Sequence, residues 1–242
     1  KMTKAVIAQR LQKVLAQLGL GSRREIEGWI EAGKVQVNGE TAVLGCKVVA
    51  RDIISVNGRV ISQNTQAGPA KHRFILYHKP VGEICTRSDP EGRATVFASL
   101  PKLVKQRWVA VGRLDINSSG IILFTTDGEL ANKLMHPSAN LEREYAVRVL
   151  GTVTNAMLKN MSTGVTLDDG NKAKFTQIKF SGGSGANSWY HVVLTEGRYR
   201  EVRRIWDTQG IKVNRLIRIR YGDYKLPRDL APGQYLELDY SI

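Results

Sequence analysis

The sequence predicts an α+β protein in two parts: a small helix-led module, then a larger domain on a mixed, largely antiparallel β-sheet. Three observations carry this. The stretch from Ser62 to Lys71 has no large apolar side chain and holds Gly68 and Pro69, so it cannot anchor itself in a core and divides the chain. Before it, apolar residues recur at helical spacing. After it, short alternating or apolar runs bounded by turn residues dominate, with few long helical crossovers. Residues 9–61 are thus the first module, 62–72 a linker and 73–242 the second domain. With 242 residues and 42% hydrophobic content, the chain has enough apolar material for a core.

Leu11, Val14, Leu15, Leu18 and Leu20 mark a first helix, which Gly19 and Gly21 stop. Ser22 with Glu25 three positions later forms a capping box that starts a second. Ile26, Trp29 and Ile30 form its inner face, and Gly33 ends it. Val35-Gln36-Val37 runs into Asn38-Gly39, and Ile53 to Val56 runs into Asn57-Gly58; both are hairpin signals. In the second domain, Phe74 to Tyr77, Val109 to Val111, Ile121 to Thr126, Tyr145 to Val149 and His191 to Leu194 read as strands. Leu130 to Met135 and Glu201 to Thr208 read as helices, the latter offering Val202, Ile205 and Trp206 for packing.

Lys and Arg total 36 against 22 Asp and Glu, a formal net charge of +14. Such an excess calls for a polyanionic partner, either nucleic acid or an anionic membrane surface. No apolar run approaches the ~20 residues that span a bilayer, so membrane insertion is not expected. The start, Lys1 to Gln9, reads as a ragged basic terminus with no secretory segment. Cys46 and Cys85 are too few and too far apart for a disulfide framework and are expected reduced, in the cytoplasm. His72, His78, His136 and His191 lack metal-ligand spacing, so no metal is expected. A strongly like-charged surface points to a monomer.

In the first module Arg23 and Arg24 open a helix, where backbone phosphates are well received, and Lys34 adds to that surface. A DNA-reading helix-turn-helix shares the outline. However, Glu25, Glu27 and Glu31 on the second helix would repel phosphates in a groove. The span from Arg10 to Gly39 resembles the S4-type RNA-binding domain in its spacing.

In the second domain, Arg198, Arg200, Arg203, Arg204, Lys212, Arg215, Arg218 and Arg220 face only Glu201 and Asp207 within residues 198–220. They alternate with Val202, Ile205, Trp206, Leu216, Ile217 and Ile219, so this is a folded segment and not a loose basic tail. An arginine beside such a core needs an anion, a phosphate or a buried carboxylate. Asp115, taken alone, is a turn former at a strand end. Tyr145, taken alone, is a sheet aromatic.

Together these motifs resemble the pseudouridine synthases. Gly112-Arg113-Leu114-Asp115 is their signature. Tyr77-His78-Lys79-Pro80 precedes it, and Gly120-Ile121-Ile122-Leu123-Phe124-Thr125-Thr126-Asp127-Gly128 follows. His136-Pro137-Ser138, Arg143-Glu144-Tyr145 and Glu196-Gly197-Arg198-Tyr199-Arg200-Glu201-Val202-Arg203-Arg204 complete the series. The resemblance runs from Arg10 to Tyr240 and is closest to the RsuA/RluB branch of ribosomal RNA enzymes. Glu83 to Arg93 leans toward the large-subunit members. Two departures stand out: Arg143 where many relatives carry Lys, and Arg200-Glu201 where many carry His-Gln.

The resemblance implies a cofactor-free isomerisation of uridine in ribosomal RNA, 23S in preference to 16S, free or in an assembling subunit. Asp115 would be the ionised carboxylate that attacks the nucleotide or removes a ribose proton. Arg203 would be its charge partner, because a carboxylate in a dry pocket needs a cation to stay charged. Tyr145 would stack on the extruded uracil. Arg23, Arg24, Lys34, Lys79, Arg113, Arg143, Arg198, Arg200 and Arg204 would contact RNA, Arg113 beside the vacated stack. A non-catalytic RNA-binding or ribosome-assembly factor of the same fold is the competing expectation; for it Asp115 would be dispensable.

Overall fold

The computed structural model describes residues 7–63, 71–184 and 186–240; the middle of the expected linker, 64–70, lies outside them. The chain forms two compact units, and the division is not contiguous. Residues up to Arg73 group with Pro101–Val109, while Phe74–Leu100 and everything from Ala110 onward form the other. The excursion belongs to the first unit for local reasons. Arg107 meets Glu25 at 3.6 Å and Arg73 lies over the Trp108 ring at 5.2 Å. The backbone of Gln106 passes so close to Gly19 that a Cβ there would sit 2.8 Å from its nitrogen.

In the first unit, α1 (Leu11–Gln17) and α2 (Arg23–Glu31) precede β1 (Val35–Val37), β2 (Glu40–Thr41), β3 (Ile54–Val56) and β4 (Arg59–Ile61), an antiparallel sheet in the order β2-β1-β3-β4. The capping box is complete: the Ser22 hydroxyl accepts from the Glu25 N–H at 3.1 Å, and the Glu25 carboxylate accepts from the Ser22 N–H at 2.7 Å. Asn38 and Gly39, and again Asn57 and Gly58, take left-handed φ values, as two-residue hairpins demand. Leu11, Leu15, Ile26, Ile30, Val35 and Ile54 close the core, with Trp29 only partly buried at its edge. Each such burial is worth about 1.5–3 kcal/mol, which suffices for a small unit but leaves little surplus.

The second unit is built on one large sheet with helices against it, beside a two-stranded pairing of Val165–Thr166 with Lys172–Ala173. The main path of the large sheet runs through β5 (Phe74–Lys79), β6 (Ser119–Thr125), β7 (Arg143–Leu150), β8 (Gln177–Ser184), β9 (Asn187–Leu194), β10 (Lys212–Tyr221) and β11 (Tyr235–Leu238). They lie in the order β8-β9-β7-β10-β6-β5-β11, antiparallel at every step except β10–β6. The mixed, largely antiparallel sheet is thus as the sequence predicts. Central β6 is buried throughout, which is why Ile121-Ile122-Leu123-Phe124 reads as a continuous apolar run.

Helices α3 (Gly128–Met135), α4 (Asn155–Thr163) and α5 (Glu201–Asp207) complete the unit. α5 packs through Val202, Ile205 and Trp206, the indole 5.3 Å from the Tyr190 ring. α4 and β8 went unread in the sequence. α4 buries only Met161, and β8 is mostly exposed and ends through Gly182 and Gly183, so neither carries a clear apolar period.

Candidate active site

The loop from Gly112 to Ser118 is anchored along its length. Gly112 turns at φ +76°, a conformation glycine adopts without strain. The Leu114 N–H and C=O both meet the Cys85 sulfur, at 3.4 and 3.3 Å. The Ile116 carbonyl accepts from the Gly82 N–H at 2.8 Å, and the Asn117 carbonyl from Arg203 Nη2 at 3.1 Å. The Ser118 carbonyl accepts from Lys79 Nζ at 2.6 Å, and the Ser118 N–H returns to the Asp115 carbonyl at 3.0 Å. Then Gly120, at φ +115°, lets β6 pass β10 so closely that a Cβ would lie 2.2 Å from the Arg218 carbonyl oxygen. Within this frame Asp115 has a rigid base and a side chain that is 26% exposed.

Asp115 opens onto a cleft of about 640 Å³. Tyr145 of β7, 8% exposed, lines it, as do Arg143, Arg198, Arg200 and Arg218. Pro137 and Met135 border one end. The sequence motifs, far apart in the chain, therefore converge on one concave surface, with a carboxylate, an aromatic ring and several guanidinium groups.

The partner of Asp115 is not the expected one. Arg200 Nη1 lies 3.3 Å from Asp115 Oδ2. Arg200 takes a left-handed backbone (φ 48°) as N-cap of α5, a costly conformation for a side-chain-bearing residue, of order 1–3 kcal/mol. Arg203, one turn into α5, donates instead to the carbonyls of Asn117 and Val213 at 3.1 and 3.2 Å. Its burial lowers its pKa and Arg200 adds to that, with Asp115 pulling the other way. Arg203 thus stays in the Asp115 field but holds the loop and not the carboxylate. The physical reason is helix geometry: residues 200 and 203 stand on one face, and the N-terminal one is nearer the loop tip.

The other cations expected to meet RNA divide into those held by protein groups and those left exposed. Lys79 is fully buried; its ammonium donates to Pro80 and Ser118 carbonyls at 2.9 and 2.6 Å, and burial lowers its pKa. It is a strut beneath the loop and is closed to RNA. Arg204 is held by Asp168 at 2.6 Å and Asp169 at 2.7 Å, which ties down the 168–169 turn. Arg143 donates to the Leu141 and Thr195 carbonyls at 2.9 and 2.8 Å and stacks over Tyr221, so it builds the wall of the cleft. Arg198 donates to the Lys172 carbonyl and faces Glu196 at 3.5 Å. Arg113 is exposed at the cleft rim and makes no ion pair among the described residues. Arg23, Arg24 and Lys34 are exposed on the first unit, so their side chains are available to an anion.

Two residues escaped the sequence reading. Arg218 was one cation in a run; it is 3% exposed, donates from Nε to the Ile121 carbonyl at 2.9 Å, and its Nη2 has no partner among the described residues. The period-2 pairing of Leu216 with Arg218 on one face was the available signal. Glu201 is 4% exposed and accepts from the Arg198 N–H at 3.0 Å. Burial pushes its pKa up, with Glu196 contributing. Among the described residues no group of three or more His, Cys, Asp or Glu side chains could hold a metal ion. No described helix is long and apolar enough to cross a membrane.

A family model described as RNA pseudouridylate synthase matches residues 73–207, more than half of the chain, and an S4 domain model matches residues 9–44. The chain belongs to the RNA pseudouridylate synthase family. The synthase is 57% identical to "Ribosomal large subunit pseudouridine synthase B" of Escherichia coli (strain K12), over 97% of this chain and 81% of that one. The protein of that name from Salmonella typhi is 56% identical over the same shares. Among solved structures, one titled "Crystal structure of pseudouridylate synthase" aligns at a TM-score of 0.65 with 25% identity, covering 95% of this chain and 96% of that chain. The chain is therefore an RNA pseudouridine synthase with an S4 domain.

Proposed function

We propose that this synthase converts a uridine of large-subunit (23S) ribosomal RNA to pseudouridine, with Asp115 as the reacting carboxylate. The bond from ribose C1′ to uracil N1 breaks, the base rotates, and C1′ bonds to C5. The C5 proton leaves to solvent and N1 takes one up, so atoms balance without a redox partner or a group donor. Asp115 acts either by attack on the nucleotide or by drawing a ribose proton; both need a carboxylate with a free oxygen at the cleft surface. Arg200 pairs with and orients that carboxylate, Arg203 and Lys79 hold its loop, and Tyr145 stacks on the extruded uracil. Arg113 fills or borders the space that the uracil leaves, and Arg198 steers the flanking backbone.

We assign residues 9–61 to RNA docking through Arg23, Arg24 and Lys34, residues 62–72 to a linker, and 73–242 to catalysis, with Pro101–Val109 packed on the first unit. The protein works as a cytoplasmic monomer on RNA that is free or in an assembling subunit. One observation carries the reading: the signature Asp115 is solvent-accessible in a cationic cleft, in a chain over half identical to enzymes named for the large ribosomal subunit.

The test is tritium release. Uridine tritiated at C5 in 23S rRNA loses its label to water with the wild-type chain, and Asp115→Asn retains RNA binding but releases none. Full release by that variant refutes the role of Asp115, and release from 16S rRNA alone refutes the substrate.

A further inference from the structure

The cleft occupies one face of the sheet; the reverse face of β8-β9-β7-β10 carries a second cationic surface. Tyr145 lines the cleft and stands opposite Val192 and Arg218. Arg148, three residues on in the same strand, therefore points away from the cleft. It stands directly opposite Trp189 on one side and Arg215 on the other. Its neighbouring rows on that face are Lys179, His191, Ala146 and Ile217, and then Ser184, Asn187, Leu150 and Lys212. Arg148, Lys179, Arg215 and Lys212 make no ion pair among the described residues. The carboxylate of Glu144, on the same face, is taken by Arg220 at 3.6 Å.

Two arginines directly opposite each other in an antiparallel pair repel, and such pairs destabilise a sheet. Here the pair is braced and not relieved. Both guanidinium groups lie 5.9 Å from the Trp189 ring. Arg148 Nε donates to Asn214 at 2.8 Å, and Asn214 donates to Asn187 at 3.0 Å. The ring and the two amides lower the entropy cost of fixing the cations, and with Arg215 exposed and Arg148 half-buried both are reachable by an anion. The cations are spread over successive rows and over three strands, an extended surface that suits a polyanion and not a single small anion.

We infer that this face is a second RNA site, which takes the phosphodiester backbone of a single-stranded rRNA segment away from the reacting uridine. The inference rests on the RNA-modifying reading of the cleft and extends it: the substrate contacts both faces of the sheet. Charge complementarity commits the surface to RNA. The strand is gripped by Arg148 and Arg215, with Lys179 and Lys212 flanking.

The full chain is titrated with a 23S rRNA transcript at several salt concentrations. Arg148→Gln/Arg215→Gln weakens Kd about tenfold and lowers the slope of log K against log salt by about 1.4, at ~0.7 per phosphate contact on single strands. Arg148→Lys/Arg215→Lys restores most of the slope, which a purely structural role would not. Unchanged Kd and slope in a Gln variant with wild-type Tm overturn the inference. So does an equal loss in the Gln and Lys variants, or competition by polyglutamate as strong as by RNA at equal charge. Tritium release separates the two readings. Normal release with unaltered binding in the Gln variant sinks this inference alone. Slope loss in the Gln variant without any wild-type release sinks the isomerase reading alone.

Discussion

Replacing Lys79 with methionine removes the buried strut under the Asp115 loop while keeping most of the side-chain volume. Two carbonyls lose a donor, Ser118 at 2.6 Å and Pro80 at 2.9 Å. A buried carbonyl left without a partner costs about 1–3 kcal/mol, and the release of a desolvated ammonium offsets part of this. The expected net loss of unfolding free energy is about 2–4 kcal/mol, by denaturant titration followed through tryptophan fluorescence. For a unit of this size that lowers Tm by roughly 5–15 °C. The loss has a pH signature. Burial lowers the folded-state pKa of Lys79 below its ordinary 10.5, so the folded chain binds fewer protons just below that value. Wild-type stability therefore gains as pH rises toward 10.5, a gain fully present above it and lost as pH falls through the folded value. The methionine variant lacks this component, so the gap between the two widens toward pH 10. Tritium release at saturating RNA falls about ten- to a hundredfold, because the loop that aims Asp115 loosens. A variant with stability within about 0.5 kcal/mol of wild type and normal release would show that the strut does not position the loop.

Gly120→Ala is expected to cost more than about 4 kcal/mol, since its Cβ would meet the Arg218 oxygen and nitrogen at 2.2 and 2.5 Å and the parallel β6–β10 pairing must open; denaturant unfolding within about 1 kcal/mol of wild type contradicts this. Glu201 has a folded pKa raised above 4.5 by burial, so its contribution is full below pH 4.5 and is lost as pH rises through the folded value. Glu201→Gln should flatten the fall in denaturation midpoint above pH 4.5, and an unaltered profile removes Glu201 as its source. Arg200→Gln should reduce tritium release more than RNA affinity, because it takes away the cation on Asp115; an equal drop in both would make Arg200 a plain RNA contact.

The sequence by itself determined the local elements and the chemistry. Ser22 with Glu25, the two Asn-Gly turns and the apolar run of β6 are short-range signals, since capping, turn and burial preferences act over a few residues. The Gly112–Asp115 signature and the 196–204 run marked the family because few chains keep those residue types in that order. Which cation meets which anion was decided only in three dimensions. Asp115 and Arg200 are remote in sequence and adjacent in space, and a charge pair depends on ångström-scale distance and not on composition. The same holds for burial: Lys79 and Arg204 look like any RNA-facing cations in the sequence. Only packing encloses the first beneath a loop and delivers Asp168 and Asp169 to the second. The two faces of β7, one lining the cleft and one bearing Arg148, follow from strand parity, yet which face holds the cleft was set by where α5 and the Asp115 loop pack.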